Sequence, residues 1–532
     1  MTIRERCEKV AECIKNSANA TIKSIALATG MSQSSVHRHQ QAIKRRNEYA
    51  ESWWWETKVG REWLKRLVIA VVYYFGIKQG VGADSLSAFF KAVHIERHVG
   101  ISASALRQLE REIEQAIIRY EEIQAQQRPV SEEVGICVGG DETFFGLPIL
   151  VLLELASGYI FTEVECENRS YSTWLEQIQA WWGQGGWHCH YMVSDGAKAL
   201  IKLALTGLGC ASVRDLFHAL QALAQPLGSA MARQQTQLSQ QASKLAQQME
   251  KMIAPEPLEQ LQLAMESIQQ QQQQLTLAQE RYRQALHEIT QTVHPFVPET
   301  GESQLLHSLS ALLHPPLDTL STLAVSYASS KAQAAIDTFK TQIPSLAQGI
   351  QAWWQWVTYA LSAKTDDLEL QNWVLTALLP WVYWHQQTDK TRQPQLKAAY
   401  AQITQRAYRA LLAHPSTQLM PVDQRQDWID WCQWMAAKYQ RTSSAVEGRN
   451  GYLSRLHHAA RRFSPQTLRV LTIIHNFDLR RDDGTTAAQR LFNRSFPDLF
   501  ESILAHMGDL PRARMSSKSH PTNPLSSLPF PA

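Results

Sequence analysis

Three acids stand where they could do chemistry together. Asp141 follows Gly139-Gly140 in VGICVGGDETFF, Asp195 precedes Gly196 in HCHYMVSDGAKAL, and Glu447 lies in VEGRNGYLSRLHHAARRF. The first two end β-prone apolar runs. The third sits in a helix rich in arginine and histidine, with no lysine or arginine three or four residues away to pair with it. Carboxylates brought together repel one another unless cations neutralise them, and oxygen donors of this kind suit Mg²⁺. Two such ions about 4 Å apart serve in-line phosphoryl displacement, one activating the attacking oxygen and the other stabilising the leaving oxygen. Each acid alone says little, since Asp beside glycine at a strand end is ordinary turn chemistry. The combination is what is specific.

The elements that must position them follow from hydrophobic periodicity. VGICVGGDETFF reads as one strand, and LPILVLLELASGYIFTEVECE as two more around a Ser157-Gly158 turn. YSTWLEQIQAWW has helical spacing, HCHYMVSDGAKAL is a strand running into a helix, and CASVRDLFHAL is a fifth strand running into another. In the order β-β-β-α-β-α-β, strands one and four can lie side by side in a mixed five-stranded sheet. Their C-terminal ends then bring Asp141 and Asp195 to one edge, where a packed helix can supply Glu447.

The closing helix is amphipathic. At about 100° per residue, Asn450, Ser454, His458 and Arg461 share the face of Glu447, with Leu453, Leu456, Ala460 and Phe463 opposite. A solvated stripe is the plain alternative. Against it, Gly448 and Gly451 each weaken the helix by roughly 1 kcal/mol relative to Ala, in return for close approach of a backbone or ligand. Arg455, Arg461 and Arg462 continue the stripe as a phosphate-binding row, and Ser464-Pro465 ends this helix and starts the next.

Near the N-terminus, TIKSIALATGMSQSSVHRHQQAIKRR resembles a helix-turn-helix, with Gly30 at the turn and Ser32 as cap. Its second helix displays Gln33, Ser34, His37, Arg38 and Gln41, with Arg45 further on, side chains suited to base edges and phosphates. A weaker echo around VGIS (residues 99–102) marks either a second such module or a helical connector. Three adjacent tryptophans, Trp53 to Trp55, suit core packing or a dimer surface. From about Leu216 to Gln440, leucines recur between glutamines and then tryptophans, which predicts a large helical segment opening with an antiparallel pair.

The 532 residues are 44% hydrophobic and 19% charged, enough for several packed domains. Net charge is only +3, but it is uneven: Thr21–Arg46 holds five basic residues and no acid, and Arg441–Arg494 holds ten arginines against four acids. Two basic regions on a near-neutral chain suggest a polyanionic partner. Seven scattered cysteines without a CxxC pair read as reduced thiols and argue against a zinc site. The first residues lack a secretory apolar stretch, and the longest apolar run, Leu67–Ile77, is too short to span a bilayer.

GGDETFF, VSDGAKAL and SSAVEGRNGYLSRLHH, in that order, resemble the DDE-type transposases of insertion sequences, over Val134 to Arg481. The resemblance implies an α/β RNase H-like catalytic core, an N-terminal all-α helix-turn-helix region and a large all-α insertion. The expected organisation is a helix-turn-helix domain (1–50), a helical connector, second DNA-binding or dimerisation module (51–130), the first part of the core (131–217), the insertion (218–440), the closing catalytic helices (441–494) and a disordered tail (495–532). Asp141, Asp195 and Glu447 would be the catalytic metal ligands, for two Mg²⁺ ions that Mn²⁺ can replace. Relatives often carry Cys-x-x-His after the fifth strand. Here the chain has Asp215-Leu-Phe-His218, which leaves His218 to position substrate or an acid, or only to cap a helix. Tyr439, Arg441 and Arg455 loosely match phosphate-contacting positions, and Arg449 joins the same basic row. The implied activity is metal-dependent cleavage at the element's ends, giving 3′-hydroxyls that attack target DNA without a covalent protein intermediate. Implied partners are terminal inverted repeats, target DNA and a second copy of the chain, in the bacterial cytoplasm at the nucleoid and away from membranes. Two rivals share these features: an RNase H-like nuclease that does not join ends, and an inert DNA-binding regulator.

Overall fold

In the computed structural model, which describes residues 3–17, 19–47, 49–126, 133–251, 255–458 and 463–513, the chain opens with α1 (Ile3–Asn16), α2 (Ile22–Thr29) and α3 (Gln33–Arg46). Thr21 Oγ1 accepts the Ser24 N–H at 3.1 Å and Ser32 Oγ the Ser35 N–H at 3.2 Å, satisfying donors that a helix start leaves open. Gly30, at φ +68°, makes the left-handed turn between α2 and α3. Val10, Ala11, Ile25, Val36 and Ile43 close a small core. Gln33, Ser34, His37, Arg38 and Arg45 are exposed on α3.

Next come α4 (Lys58–Val71), α5 (Ala83–Ala92) and α6 (Ala103–Gln126). Trp53 to Trp55 lie in a short 3-10 segment, Ala50–Glu56. Trp54 and Trp55 meet the Trp63 ring, yet Trp53, Trp54 and Trp63 remain 39, 44 and 46% exposed, so this is a surface cluster and not core. The VGIS echo differs from the Gly30 turn. Gly100 is absent from the positive-φ glycines; its N–H donates to the Pro511 carbonyl at 2.7 Å, and a Cβ there would stand 2.5 Å from Arg512 O. Close chain packing explains that glycine.

The strands are β1 (Val134–Phe144), β2 (Pro148–Glu154), β3 (Ile160–Glu165), β4 (Trp187–Ser194) and β5 (Ala211–Arg214), in the order β3-β2-β1-β4-β5. β2 is antiparallel to β1 and β3, while β4 is parallel to β1 and β5 to β4. β2 is buried along its whole length, as a continuous apolar run covered on both faces must be. Gly158, at φ +80°, sits in the β2–β3 turn. Helices α7 (Tyr171–Trp182) and α8 (Lys198–Lys202) lie between β3 and β4 and between β4 and β5.

The helical segment then runs through α9 (Leu216–Lys251), α10 (Pro255–Thr292), α11 (Leu306–Ser326), α12 (Ser330–Lys364), α13 (Leu368–Trp373), α14 (Leu379–Lys390), α15 (Pro394–Ala413), α16 (Pro415–Leu419) and α17 (Val422–Ala437). α9 and α10 pair: Tyr282 OH donates to the Ala224 carbonyl at 2.8 Å, and Gly228 leaves room for that ring. The glutamine run 269–274 lies inside α10, flanked by buried Ile268 and Leu275. The tryptophan-rich stretches fill a core in which Trp353, Trp373 and Trp384 are fully buried.

α18 (Ser444–His458), α19 (Pro465–Phe477), α20 (Ala487–Phe492) and α21 (Leu499–His506) complete the described chain. The expectation that the chain frays after Arg494 needs correction. Asp498 caps α21 by accepting the Glu501 N–H at 3.0 Å, Leu499, Phe500 and Ile503 are buried, and Tyr120 OH donates to Pro497 O at 2.7 Å. Residues from 514 onward lie outside the described part. The chain divides into two units, Met1–Arg128 with Leu453–Ala532, and Pro129–Tyr452. Among the described residues no helix is long and apolar enough to cross a membrane.

Candidate active site

The site is built on β1, β4 and α18 in the Pro129–Tyr452 unit. Gly139 and Gly140 explain how closely β1 is covered. A Cβ on Gly139 would stand 2.6 Å from Leu155 Cδ2 and 3.1 Å from Val446 Cγ2, and one on Gly140 would stand 2.7 Å from Met192 Cε. The bare backbone at Gly139 therefore lets α18 settle on β1 one residue before Glu447.

Asp141 does not end its strand. β1 continues to Phe144 against β2, with Asp141 opposite Val151 and Thr143 opposite Ile149. The pairing that does end is the parallel one with β4, whose last partners are Gly139 and Val193. Asp141 and Asp195 each lie two residues beyond that pair, at the same level of the sheet. β4 stops because the chain turns at Gly196, φ +84°, while β2 has no such break. Asp195 Oδ1 accepts the Ala197 N–H at 2.8 Å, which holds the turn.

Two anchors fix α18. Asp215, fully buried just after β5, accepts the His218 N–H at 3.1 Å through Oδ1, and the Ser443 N–H at 2.6 Å and the Ser443 hydroxyl through Oδ2. One carboxylate thus caps α9 and holds the chain entering α18. One turn into α18, Arg449 makes a two-pronged pair with Glu163 of β3, Nε to Oε1 and Nη2 to Oε2, each at 2.6 Å.

Between these anchors Asn450 and His218 each reach one of the acids. Asn450 Nδ2 donates to Asp141 Oδ2 at 2.9 Å, and His218 Nε2 stands 3.0 Å from Glu447 Oε1. That second contact is within ion-pair distance, while Glu447 Oε1 is shielded from solvent and has no hydrogen-bond partner. Asn450 Oδ1 is shielded and unpartnered in the same way. Burial is the main force raising the Asp141 carboxyl above its usual range. Asp195 and Glu447 add repulsion, against the opposing pull of the Glu142 backbone N–H and of His218. Neighbouring Glu142 is also raised, by burial first, although Trp174 Nε1 donates to it at 3.3 Å and Arg169 lies at 3.6 Å. As they stand, no three Asp, Glu, His or Cys side chains among the described residues are close enough to hold a cation jointly. Two shielded carboxyl and amide oxygens without donors on one helix face are nevertheless the hard-oxygen chemistry that a divalent cation takes.

The arginines divide. Arg449, expected to contact DNA, is buried against Glu163. Arg441 spends Nη1 on the Thr290 and Val293 carbonyls, at 2.9 Å each, within the helical segment. Both correct the sequence reading: a basic run does not distinguish solvent-facing arginines from those with a distant internal partner. Tyr439, the other loose match, is buried against the rings of Trp353 and Tyr383. Arg455 is exposed. Arg461 and Arg462 lie outside the described residues. Gly448 and Gly451 face open space among the described residues, so close approach of a protein backbone does not account for them. Sequence reasoning missed Asn450 as a partner of Asp141, Asp215 as an anchor, and Arg214. Of these, Asp215 carried a signal, as an acid immediately before a helix.

A family of unknown function (DUF6399) matches residues 374–519, from the later helices of the helical segment through α18 to beyond α21. No curated protein and no solved structure matches the chain.

Proposed function

We propose that this chain is a DDE-type DNA transposase, cutting at the ends of an insertion sequence and joining the freed 3′-hydroxyls to target DNA. The observation that carries the reading is that Asp141 and Asp195 stand at one level of adjacent parallel strands while Asn450, one turn after Glu447 in α18, donates to Asp141. The three acids come from a strand interior, a strand end and a helix more than 250 residues further on, yet Asp195 and Glu447 both add to the upward shift that burial imposes on the Asp141 carboxyl. The β3-β2-β1-β4-β5 order, with β1 and β4 parallel at its centre, supports an RNase H-like core.

Asp141, Asp195 and Glu447 would hold Mg²⁺ or Mn²⁺, and Asn450 borders the same space. A divalent cation there supplies activation of water and charge neutralisation at a phosphodiester. The chain's own residues do the rest. Asp215 and Arg449 fix α18 so that Glu447 faces the sheet edge. His218 lies beside Glu447, placed to hold its carboxylate until substrate arrives. No side-chain nucleophile is required. The exposed row on α3, Gln33, Ser34, His37, Arg38 and Arg45, suits recognition of terminal repeats in a major groove, and a second copy of the chain would serve the second end.

The test is nicking of supercoiled plasmid in Mg²⁺ or Mn²⁺. Wild type should nick, while Asp141→Asn, Asp195→Asn and Glu447→Gln should lose at least about a hundredfold in rate and still bind DNA. Equal nicking by any variant removes that residue from the site. Pre-cut ends supplied with target DNA then separate a transposase from a nuclease, because only the former joins them.

A further inference from the structure

Arg214 closes β5, and its partner across the pairing is Ser194, the residue before Asp195. Because β4 lies between β1 and β5, Asp195 is bracketed by Asp141 on one side and Arg214 on the other. The guanidinium covers the glycine after Asp195: a Cβ on Gly196 would stand 1.8 Å from Nη1 and 3.0 Å from Cζ. A side chain at position 196 would push the arginine away.

The backbone under Arg214 is held from the helical segment. Its N–H donates to Ser345 Oγ at 2.9 Å, and that hydroxyl donates to the Ser212 carbonyl at 3.0 Å. Gly349, one turn on in α12, lets that helix close on Val213, 2.9 Å from where a Cβ would stand. Strand register and an insertion helix together deliver this cation to the carboxylate edge.

Its charge is unused there. Among the described residues no acidic side chain pairs with Arg214, and its Nε is buried without a hydrogen-bond partner. Arg449 and Arg441, by contrast, are satisfied by a carboxylate and by carbonyls. A buried donor without an acceptor costs about 1–3 kcal/mol, so the arrangement is explained if an acceptor arrives with the substrate.

We propose that Arg214 binds a backbone phosphate of the DNA on the β5 side of Asp195, and so positions the diester that the carboxylates act on. The inference rests on reading this site as one of phosphoryl transfer. A planar guanidinium fork matches two phosphate oxygens. Its charge also offsets the repulsion that clustered carboxylates exert on an incoming polyanion. Arg214 is a positioning residue; it transfers no proton and forms no bond.

The experiment uses the full chain and a 30-base-pair duplex without divalent metal, with affinity read by anisotropy across a salt series. Arg214→Gln should lower the slope of log affinity against log salt by about 0.9, the loss of one phosphate contact. An unchanged slope overturns the proposal, whether or not the protein cuts DNA. If the slope falls but wild type never nicks plasmid, the phosphate contact stands and the transposase reading fails. A measurement on wild type covers the case in which the variant folds poorly. Modification of Arg214 by phenylglyoxal, read by mass spectrometry, should be suppressed by the duplex, and equal modification with and without DNA overturns the proposal. In a protein that nicks, Arg214→Gln should slow nicking about a hundredfold, with Arg214→Lys between it and wild type. Equal rates for all three overturn the positioning role.

Discussion

Arg449→Met separates an arginine that holds the fold from one that holds DNA. The side chains of Arg449 and Glu163 are 1% and 0% exposed, and both prongs of the pair measure 2.6 Å. The guanidinium also lies 4.9 Å from the Tyr452 ring centroid. Removing one partner leaves the other buried without compensation, which costs about 3–5 kcal/mol. In a unit of this size that lowers the melting temperature by roughly 4–7 °C. Glu163→Leu alone should cost a similar amount. Glu163→Leu combined with Arg449→Met removes both charges and should recover most of the loss, since apolar replacement of a buried pair is often near neutral. Calorimetry of the four proteins closes the cycle, with a coupling of several kcal/mol expected. The salt dependence of duplex binding should be the same in Arg449→Met as in wild type, measured below its melting transition. The reasoning fails if Arg449→Met melts like wild type while its salt slope drops, because Arg449 would then contact phosphate.

Four further outcomes follow from the same geometry. Asp215→Ala should free Ser443 and speed amide hydrogen exchange across Ser443–Glu447, at a stability cost of about 1–3 kcal/mol read by urea unfolding. Burial raises the Asp141 carboxyl, with Asp195 and Glu447 adding to it, so the fold favours its protonated form. Asp141→Asn should therefore melt higher than wild type at neutral pH without metal, with the advantage vanishing as pH falls below the ordinary carboxyl value of 3.8. Burial pushes the Glu154 carboxyl up, but Lys438 at 3.3 Å and the Ser157 hydrogen bonds outweigh it and hold the group low. That stabilisation is present above the ordinary value of 4.5 and lost as pH falls through the lowered one, so urea midpoints of Glu154→Gln should lack this acid-dependent loss. Gly30→Ala places a Cβ at φ +68° with nothing within 4 Å, so it should cost about 1 kcal/mol, purely from backbone conformation, in thermal melts of the N-terminal unit.

The sheet was legible because its strands are local signals. The first six residues of β2 are apolar, Gly158 marks a turn, and Ser170 begins α7 as its hydroxyl permits. The same holds for Thr21, Gly30 and Ser32 around α2 and α3. What stayed hidden is long-range. Nothing near Arg449 points to Glu163, 286 residues earlier, and nothing near Ser443 points to Asp215, 228 residues earlier. Asn450 shared the Glu447 stripe on the helical wheel, but its contact with Asp141 depends on how α18 lands at Gly139. Gly139-Gly140 before Asp141 reads as the end of a strand, but the antiparallel partner β2 carries the strand on to Phe144. The short α21 was masked by the prolines and serines that follow it, although Asp498 with Leu499, Phe500 and Ile503 is a capped, apolar pattern.

The claim that three distant acids form one cation site is tested most directly by calorimetric titration of the full chain with Mn²⁺. Wild type should bind, and Asp141→Asn, Asp195→Asn and Glu447→Gln should each weaken binding at least about tenfold with the fold intact by circular dichroism. A wild-type chain that takes up no Mn²⁺, or three variants that bind it as wild type does, would contradict the account.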